Sequence, residues 1–252
     1  MGRMGGSRHL KTFAAPSFWP ILRKKYKWVV KPIPGPHSIN KCIPLLLIVR
    51  NILNYAKTSK EARALIAEGH FKVDGRVRRN YKYPVGLMDV IEIIDTSEYY
   101  RVIPVPGNVL GLIPITRDEA RFKLCRIENK TTVKNGHIQL NLHDGRNCLI
   151  KISDPRNPVE DMYETLGTLK LTIPDQVIEQ YIPLKEGVIA IISGGRNVGR
   201  VGRIISIHKS MRRYRSIVTL EDKYGNRFQT SLDYVFPIGE EKPLIKLPEE
   251  AW

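Results

Sequence analysis

The stretch TSKEARALIAEGHFKVDGRVRRN, residues 58–80, predicts a helix followed directly by a hairpin. Thr58 or Ser59 is a suitable start for the helix, apolar residues recur inside it at helical spacing, and Gly69 is a suitable stop. The dipeptide Asp74-Gly75 then predicts a tight turn between two short strands. The stretch therefore indicates a small unit in which a helix packs against a hairpin.

Basic residues lie along this unit. Lys60 and Arg63 are three residues apart, so they share one exposed helix face. The hairpin extends that face with Lys72, Arg76, Arg78 and Arg79. Two interpretations stand: a surface for phosphates, or a charged face that is merely solvated. His70, just after the helix, is a candidate donor to a phosphate or sugar, or simply a helix cap.

The same residues resemble the alpha-L RNA-binding motif, also called the S4-type domain. Ser59, Lys60 and Arg63 match the start and the arginine of its helix, and residues 69–75 match its G-x-[apolar]-x-V-[ND]-G turn. The resemblance implies RNA binding. The motif also occurs in pseudouridine synthases and tyrosyl-tRNA synthetases, so an RNA-modifying enzyme that docks through this module is the alternative. The chain lacks their G-R-L-D and H-I-G-H segments.

The segments on either side complete this module at residues 42–97. PLLLIVRNILNYA, residues 44–56, predicts an amphipathic helix with Leu45, Ile48 and Val49 on its inner face. VGLMDVIEII, residues 85–94, predicts one closing strand.

Composition restricts the class of partner. The 252 residues include 42% hydrophobic ones and carry a net charge of +16, from 41 Lys and Arg against 25 Asp and Glu. Such an excess of positive charge favours a polyanionic partner, either nucleic acid or an anionic membrane surface. The apolar run at residues 43–49 is far shorter than the roughly 20 residues that span a bilayer. Three widely spaced cysteines indicate neither a disulfide framework nor a zinc site, and we expect a cytoplasmic protein.

The first 41 residues form a distinct basic arm. Residues 1–40 contain cations, interleaved aromatics and five prolines, and no acidic residue. Prolines at this density prevent a long helix. Aromatic residues are out of place in a merely solubilising tail, so we expect an arm that becomes ordered on a partner.

The chain after residue 97 is predicted to be β-rich. A central domain, residues 98–173, contains Asn135-Gly136 and Asp144-Gly145, two hairpin turns on either side of an alternating strand. Residues 174–240 predict four or five short strands, the pattern of a small bent barrel. Residues 241–252 are assigned to a tail.

The glycine-rich loop SGGRNVGRVGRI, residues 193–204, raises the question of a phosphate site. No Lys-Ser/Thr pair follows it, and the spacing differs from G-x-G-x-x-G, so neither nucleotide-binding motif fits. A KH-type G-x-x-G clamp would need helical flanks, whereas both flanks are extended. The remaining interpretations are a β–loop–β element whose arginines contact RNA, and a glycine-bent barrel corner. EGVIAIISGGRNVGRVGRIISI, residues 186–207, resembles a KOW motif.

The order of these modules resembles one family across the whole chain, the small-subunit ribosomal proteins four of the archaeal/eukaryotic ("e") type. HLKTFAAPSFWPILRKK, residues 9–25, resembles that family's opening, and GPHS, residues 35–38, resembles its G-P-H segment. The resemblance implies an α+β chain of several modules: a basic N-terminal arm, an alpha-L motif, a β-rich central domain and a C-terminal SH3-like KOW β-barrel.

The resemblance also implies a structural role in the small ribosomal subunit. The expected partners are small-subunit rRNA and neighbouring ribosomal proteins, with no membrane, no cofactor or metal, no catalysis and no homo-oligomer. Besides the enzyme, a second alternative is a transcription elongation or export factor built on the KOW motif, and the basic arm argues against it. The residues predicted to bind rRNA are Arg3, Arg8, Lys11, Arg23, Lys24, Lys25, Tyr26, Lys27, Trp28, Lys31, His37, Lys41, Ser59, Lys60, Arg63, His70, Lys72, Arg76, Arg78, Arg79, Arg196, Arg200, Arg203, Arg212, Arg213 and Arg215.

Overall fold

A computed structural model describes residues 7–154 and 158–248 of the chain. The fold is dominated by antiparallel strands. In chain order the strands are β1 (Leu10–Lys11), β2 (Trp28–Val29), β3 (Cys42–Pro44), β4 (Phe71–Val73), β5 (Arg76–Val77), β6 (Pro84–Gly86), β7 (Val90–Ile93), β8 (Glu98–Val105), β9 (Asn108–Ile115), β10 (Phe122–Thr132), β11 (Ile138–Leu142), β12 (Asn147–Ile150), β13 (Thr168–Thr172), β14 (Ile178–Ile182), β15 (Ile189–Ile192), β16 (Val201–His208), β17 (Ile217–Glu221), β18 (Arg227–Ser231) and β19 (Val235–Gly239).

Helices are few and short. They are α1 (Leu45–Leu47), which continues into a π-helical turn at Ile48–Ile52, and α2 (Ser59–Glu68). Single 3₁₀ turns lie at Thr12–Ala14, Ile39–Lys41, Glu119–Arg121, Lys134–Gly136, Arg213–Arg215 and Leu232–Tyr234. Within the described ranges, every helix is too short or too polar to cross a membrane.

Helix α2 and the following hairpin form as predicted. Thr58 caps the helix: its hydroxyl accepts from the Glu61 N–H at 3.2 Å, and the Glu61 carboxylate accepts from the Thr58 N–H at 3.2 Å. This reciprocal pair satisfies two backbone donors that a helix start leaves free. Gly69 ends the helix at φ +100°, and Asp74 and Gly75 both adopt positive φ in the hairpin turn.

The segment before α2 differs from its prediction. All five residues from Leu45 to Val49 are fully buried, so this helix has no solvent face. The pair β3–β6 and helix α2 pack around it, together with residues of the basic arm. The predicted closing strand at 85–94 is likewise two strands, β6 and β7, in different sheets, because Met88 turns the chain at φ +65°.

Three five-stranded sheets form the body of the molecule. Their strand orders are β5-β4-β7-β8-β9, β12-β11-β10-β13-β14 and β18-β17-β16-β15-β19. One apolar cluster contains Ile103 of the first sheet, Leu124 of the second, and Ile191 and Phe236 of the third. The three sheets therefore share a core.

Strand pairings cross two of the predicted boundaries. Strands β8 and β9 extend the first sheet through the β7–β8 pairing, so the unit that begins at residue 42 continues past residue 97. Strand β14 pairs with β13, so the central sheet continues past residue 173. In both places a tight turn joins two strands that pair with each other. The composition of such a turn resembles that of a linker between domains, so the sequence does not show that the turn lies inside one sheet.

The basic arm folds back onto the chain over its described residues. Strands β1 and β2 pair with each other, and Trp19, only 3% exposed, donates its indole N–H to the Cys42 carbonyl at 2.7 Å. The Arg23 guanidinium donates to the carbonyls of Thr12, Ala15 and Pro16 at 3.1, 3.2 and 2.7 Å. The expectation that the arm needs a partner to become ordered is therefore wrong for residues 7–41, because it completes the core of the helical unit.

Candidate nucleic-acid interface

A cleft of about 840 Å³ lies between the arm and the helical unit. It is lined by residues of the arm, of the π-helical turn, of the start of α2 and of the segment before β6. Those that carry charge or an aromatic ring are Arg8, His9, Lys25, Tyr26, Lys27, Trp28, Lys31, Arg50, Lys57, Arg63, Tyr81 and Lys82. Among the described lining residues there are eight Lys or Arg side chains and no carboxylate.

The cleft brings together predicted residues from two separate parts of the sequence. From the arm come Arg8, Lys25, Tyr26, Lys27, Trp28 and Lys31, and from the helical unit come Ser59 and Arg63. The arm reaches this position because Trp19 is anchored in the core and β1 pairs with β2. The sequence showed two basic segments, and their convergence on one cleft is a finding of the structure.

Sequence reasoning missed part of this cleft. Arg50 follows the apolar run and extends a hydrogen bond from Nη1 to the Ser59 hydroxyl at 2.5 Å. Lys82 and Arg63 both lie against the Tyr81 ring, 5.5 and 4.6 Å from its centroid. Two signals could have identified these residues: a cation directly after the apolar run, at Arg50, and the adjacent pair Tyr81-Lys82.

Other predicted residues lie outside the cleft lining. Six of them are exposed: Lys11, Lys24, Lys41, Lys60, Arg76 and Arg79. The Arg23 guanidinium instead donates hydrogen bonds to carbonyls of the arm itself. Arg78 lies 4.5 Å from the centroid of the Tyr83 ring. Arg3 lies outside the described residues. The exposed cations of this group are accessible to a polyanion.

Two predicted residues of the helical unit already have acidic partners. Lys72 Nζ lies 3.0 Å from Glu92 Oε1. The His70 ring lies 3.0 Å from a Glu68 oxygen and 2.7 Å from an Asp95 oxygen. Hydrogen bonding to Glu68 first, and to Asp95, raises the pKa of His70 above its usual value. These carboxylates compete with phosphate, so neither residue is a strong candidate for RNA contact.

His37 was predicted to bind rRNA, and its burial shows that this prediction is wrong. It is 7% exposed, and its Nε2 lies 3.0 and 3.1 Å from the two oxygens of Asp89, also buried. The ring lies tightly against Gly86, where a Cβ would overlap it. His37 thus fixes the end of the arm to the helical unit.

Asp89 belongs to a buried ionic centre around Lys123. Lys123 Nζ lies 2.9 Å from Asp74 Oδ2, 2.5 Å from Asp89 Oδ1 and 2.9 Å from Asp144 Oδ2, and this group of four is called the Lys123 centre. Burial alone would lower the pKa of Lys123, but attraction to the three carboxylates outweighs it and raises the pKa well above its usual range. Asp74 lies in the β4–β5 turn and Asp89 directly before β7, both in the first sheet's unit. Lys123 lies in β10 and Asp144 in the β11–β12 turn of the second sheet, so the centre joins the two.

One group near this centre has the residue types of a metal site. Ligand atoms of Cys125, His143 and Asp144 lie within 4.8 Å of one another. His143 Nδ1 accepts from the Arg126 N–H at 3.2 Å, and its Nε2 lies 3.1 Å from the Leu87 carbonyl. Burial lowers the pKa of His143 to about 4 and raises that of the Cys125 thiol well above its usual value. Both ring nitrogens of His143 are therefore engaged within the fold.

The glycines of the loop at 193–204 serve close packing. A Cβ at Gly194 would lie 2.8 Å from the Tyr234 ring, and one at Gly202 would lie 2.8 Å from the Glu221 carbonyl oxygen. Gly199 has φ +80°, and a Cβ there would overlap the backbone of Val105 and Pro106. The interpretation as a glycine-bent corner thus accounts for the glycines, which let this loop pack against the β8–β9 turn.

We expect Gly199→Ala to lower the free energy of unfolding by about 2 kcal/mol, because it adds left-handed strain to a steric overlap with backbone. The matched control is Gly187→Ala: Gly187 has φ +88° but no atom within 4 Å of its Cβ position. That variant should lose only about 1 kcal/mol. Urea unfolding of both variants is the measurement, and equal losses would show that the contact with Val105 and Pro106 is unimportant.

The arginines around this loop have different environments. Arg196 and Arg203 are exposed, whereas the Arg200 guanidinium lies 4.1 Å from the centroid of the Phe228 ring. Arg213 contacts Glu128 at 2.9 Å and Asp233 at 2.5 Å, which ties the β16–β17 connection to the central sheet. Arg212 and Arg215, also predicted to bind rRNA, flank it in the same connection, and both are exposed.

Known proteins are similar to this chain over its whole length. Three family models match it: the RS4NT (NUC023) domain at residues 4–40, the S4 domain at 44–91 and Ribosomal family S4e at 96–178. Curated relatives named small ribosomal subunit protein eS4 include that of Desulfurococcus amylolyticus, 76% identical over 252 residues and 100% of both chains. That of Methanocaldococcus jannaschii is 48% identical, covering 98% of this chain and 100% of the relative.

A solved structure is similar as well. The crystal structure of the 30S ribosomal protein S4e from Thermoplasma acidophilum matches with a TM-score of 0.66 at 31% identity. The match covers 79% of this chain and 96% of that one. The similarity thus extends from sequence to fold.

Proposed function

Since this chain belongs to the ribosomal S4e family, we infer that it is a structural component of the small ribosomal subunit, and we propose that it binds and stabilises rRNA through the cleft between arm and helical unit. The observation that carries the proposal is the charge of that cleft. Eight lysines and arginines from two distant parts of the chain line it, with no carboxylate among the described lining residues.

The mechanism is electrostatic in its main part. Lysine and arginine side chains that contact phosphates release condensed counterions, which supplies affinity that falls with salt. Because the arm is anchored in the protein core, its cations are already positioned before RNA arrives. Less conformational entropy is then lost on binding than for a disordered tail.

Members of the family are structural ribosomal proteins. We propose that this protein likewise catalyses no reaction. In support, the described cluster with catalytic residue types, Cys125, His143 and Asp144, is hydrogen-bonded within the fold. The proposed partners are rRNA and neighbouring ribosomal proteins, with the chain present as one copy. Its proposed location is the cytoplasm, within the small subunit.

The C-terminal sheet is proposed to be the KOW module. Strands β15 and β16 flank the glycine-rich loop, in agreement with the β–loop–β pattern of that motif. Following the sheet pairings, we place the module at residues 183–240 and the central one at 116–182. Arg196 and Arg203 are its exposed cations and are proposed as secondary contacts to RNA.

Sedimentation tests the assignment to the subunit. A tagged full-length chain expressed in an archaeal host should sediment with the small subunit in a sucrose gradient at low magnesium, where the subunits are separate. It should leave the subunit as salt is raised, because the binding is electrostatic. Recovery of the chain at the top of the gradient, or with the large subunit, would contradict the proposal.

A further inference from the structure

Two aromatic side chains of the cleft are largely open to solvent. Tyr26 is 59% exposed and Trp28 is 52% exposed, whereas Trp19 of the same arm is 3% exposed. Both rings line the cleft. Aromatic rings dominate the energetics of cores and interfaces because they bury large areas, so two exposed rings at one basic site indicate a partner with apolar faces.

A cation accompanies each of these rings. Lys25 Nζ lies 5.5 Å from the Tyr26 ring centroid, and Lys27 Nζ lies 5.5 Å from that of Trp28. Elsewhere in the cleft lining, Arg63 lies 4.6 Å from the Tyr81 centroid. Alternating cations and rings are suited to a strand that alternates phosphates and bases, with each base stacked on a ring.

We infer that the cleft binds an unpaired stretch of RNA, with bases stacked on Tyr26 and Trp28 and phosphates on the surrounding cations. This deepens the proposed function and rests on it. A double helix hides its base faces within its own stack and is recognised through 2′-hydroxyls and phosphates across a broad groove. A concave cleft of about 840 Å³ is within the range of sites for small ligands, so it accepts individual nucleotides rather than the convex side of a duplex.

The test compares two probes with the same number of phosphates. One is a single-stranded oligoribonucleotide of mixed sequence, and the other is a blunt-ended RNA duplex of two fully complementary strands. The double variant Tyr26→Leu/Trp28→Leu removes both rings and no charge. We expect it to bind the single strand at least tenfold more weakly than the unaltered chain, and the duplex less than about threefold more weakly. The salt dependence of binding should be unchanged, because every cation is retained.

A matched control lies at the β17–β18 turn, outside the cleft lining. Tyr224 is 72% exposed, with Lys223 Nζ 5.0 Å from its ring centroid, which is the same pair of residue types as Lys25 and Tyr26. Tyr224→Leu should bind both probes with the affinity of the unaltered chain.

A second control keeps an aromatic ring at position 28. Trp28→Phe should retain most of the single-strand affinity that Trp28→Leu loses.

The outcomes separate this inference from the function on which it rests. If Tyr26→Leu/Trp28→Leu, folded by circular dichroism, binds the single strand normally while loss of cleft cations weakens it, the stacking inference is overturned and RNA binding by the cleft stands. Equal weakening for both probes would likewise overturn it. If loss of cleft cations also has no effect, the proposed function of the cleft fails as well.

Discussion

Replacing Lys123 with methionine is expected to lower the free energy of unfolding by about 3–5 kcal/mol, the loss typical of a buried charge deprived of its partner. Methionine keeps much of the apolar length of lysine but removes the one cation that contacts all three of Asp74, Asp89 and Asp144. Arg146 still contacts Asp74 and Asp144, and His37 still contacts Asp89, so the remaining partners are split between the carboxylates. The side chains of all four residues of the Lys123 centre are at most 6% exposed, so water cannot solvate the carboxylates in place of the lysine ammonium. The pKa of Asp89 is held below its usual value because attraction to His37 and to Lys123 outweighs burial.

The measurement is chemical unfolding of the full-length chain at neutral pH. Lys170→Met is the matched control: it makes the same substitution on the adjacent strand β13, where Lys170 Nζ lies 2.8 Å from the half-exposed carboxylate of Glu179. Surface pairs of this kind contribute about 0–1 kcal/mol. Similar losses for the two variants would mean that the Lys123 centre does not hold the first two sheets together.

The second expected result concerns RNA. Changing Lys25, Lys27 and Arg63 together to glutamine should weaken binding to small-subunit rRNA about a hundredfold at 150 mM salt, equivalent to about 2.8 kcal/mol. The estimate follows from a loss of about 0.7–0.9 counterions for each phosphate contact. These three residues line the cleft from the arm and from α2.

The control removes the same charge elsewhere. Lys185, Lys223 and Lys242 are exposed and do not line the cleft. Their combined change to glutamine should weaken binding less than about fivefold, since only the general field of the protein is reduced. Filter binding or fluorescence anisotropy gives both affinities. A triple cleft variant that is no weaker than this control would remove the cleft from the interface.

Local signals predicted the local parts of the fold. The helix start at Thr58 or Ser59, the stop at Gly69 and the turn at Asp74-Gly75 appear in the structure where they were predicted. Each of these features depends on contacts between residues close in sequence, so local sequence patterns predict it. The family could be recognised for a related reason, since its motifs are contiguous.

The cleft and the Lys123 centre depend on contacts between distant residues. Asp74 and Asp144 occupy D-G turns, and an aspartate there has a sufficient local explanation. Their carboxylates instead point inward to Lys123, which lies 49 residues from Asp74 in the chain. A lysine in a strand is ordinarily exposed, so sequence gave no reason to bury it.

The burial of His37 and the packing role of the loop glycines were not predicted, for the same reason. A histidine in a basic arm suggests phosphate contact, and only the approach of Asp89 shows that it is a buried partner. Glycines with arginines suggest a ligand, whereas Gly199 serves the approach of the β8–β9 turn. In both cases the sequence correctly indicated that the residue has a specific role. A residue distant in sequence determines what that role is.

The central claim is that cations of the cleft neutralise RNA phosphates, and the salt dependence of binding tests it most directly. The logarithm of the association constant should be measured against the logarithm of salt concentration for the unaltered chain, for Lys25→Gln/Lys27→Gln/Arg63→Gln and for Lys185→Gln/Lys223→Gln/Lys242→Gln. We predict that the slope becomes shallower by about 2–3 in the cleft variant and stays unchanged in the control. Equal slopes for all three proteins would show that RNA binds elsewhere on the chain.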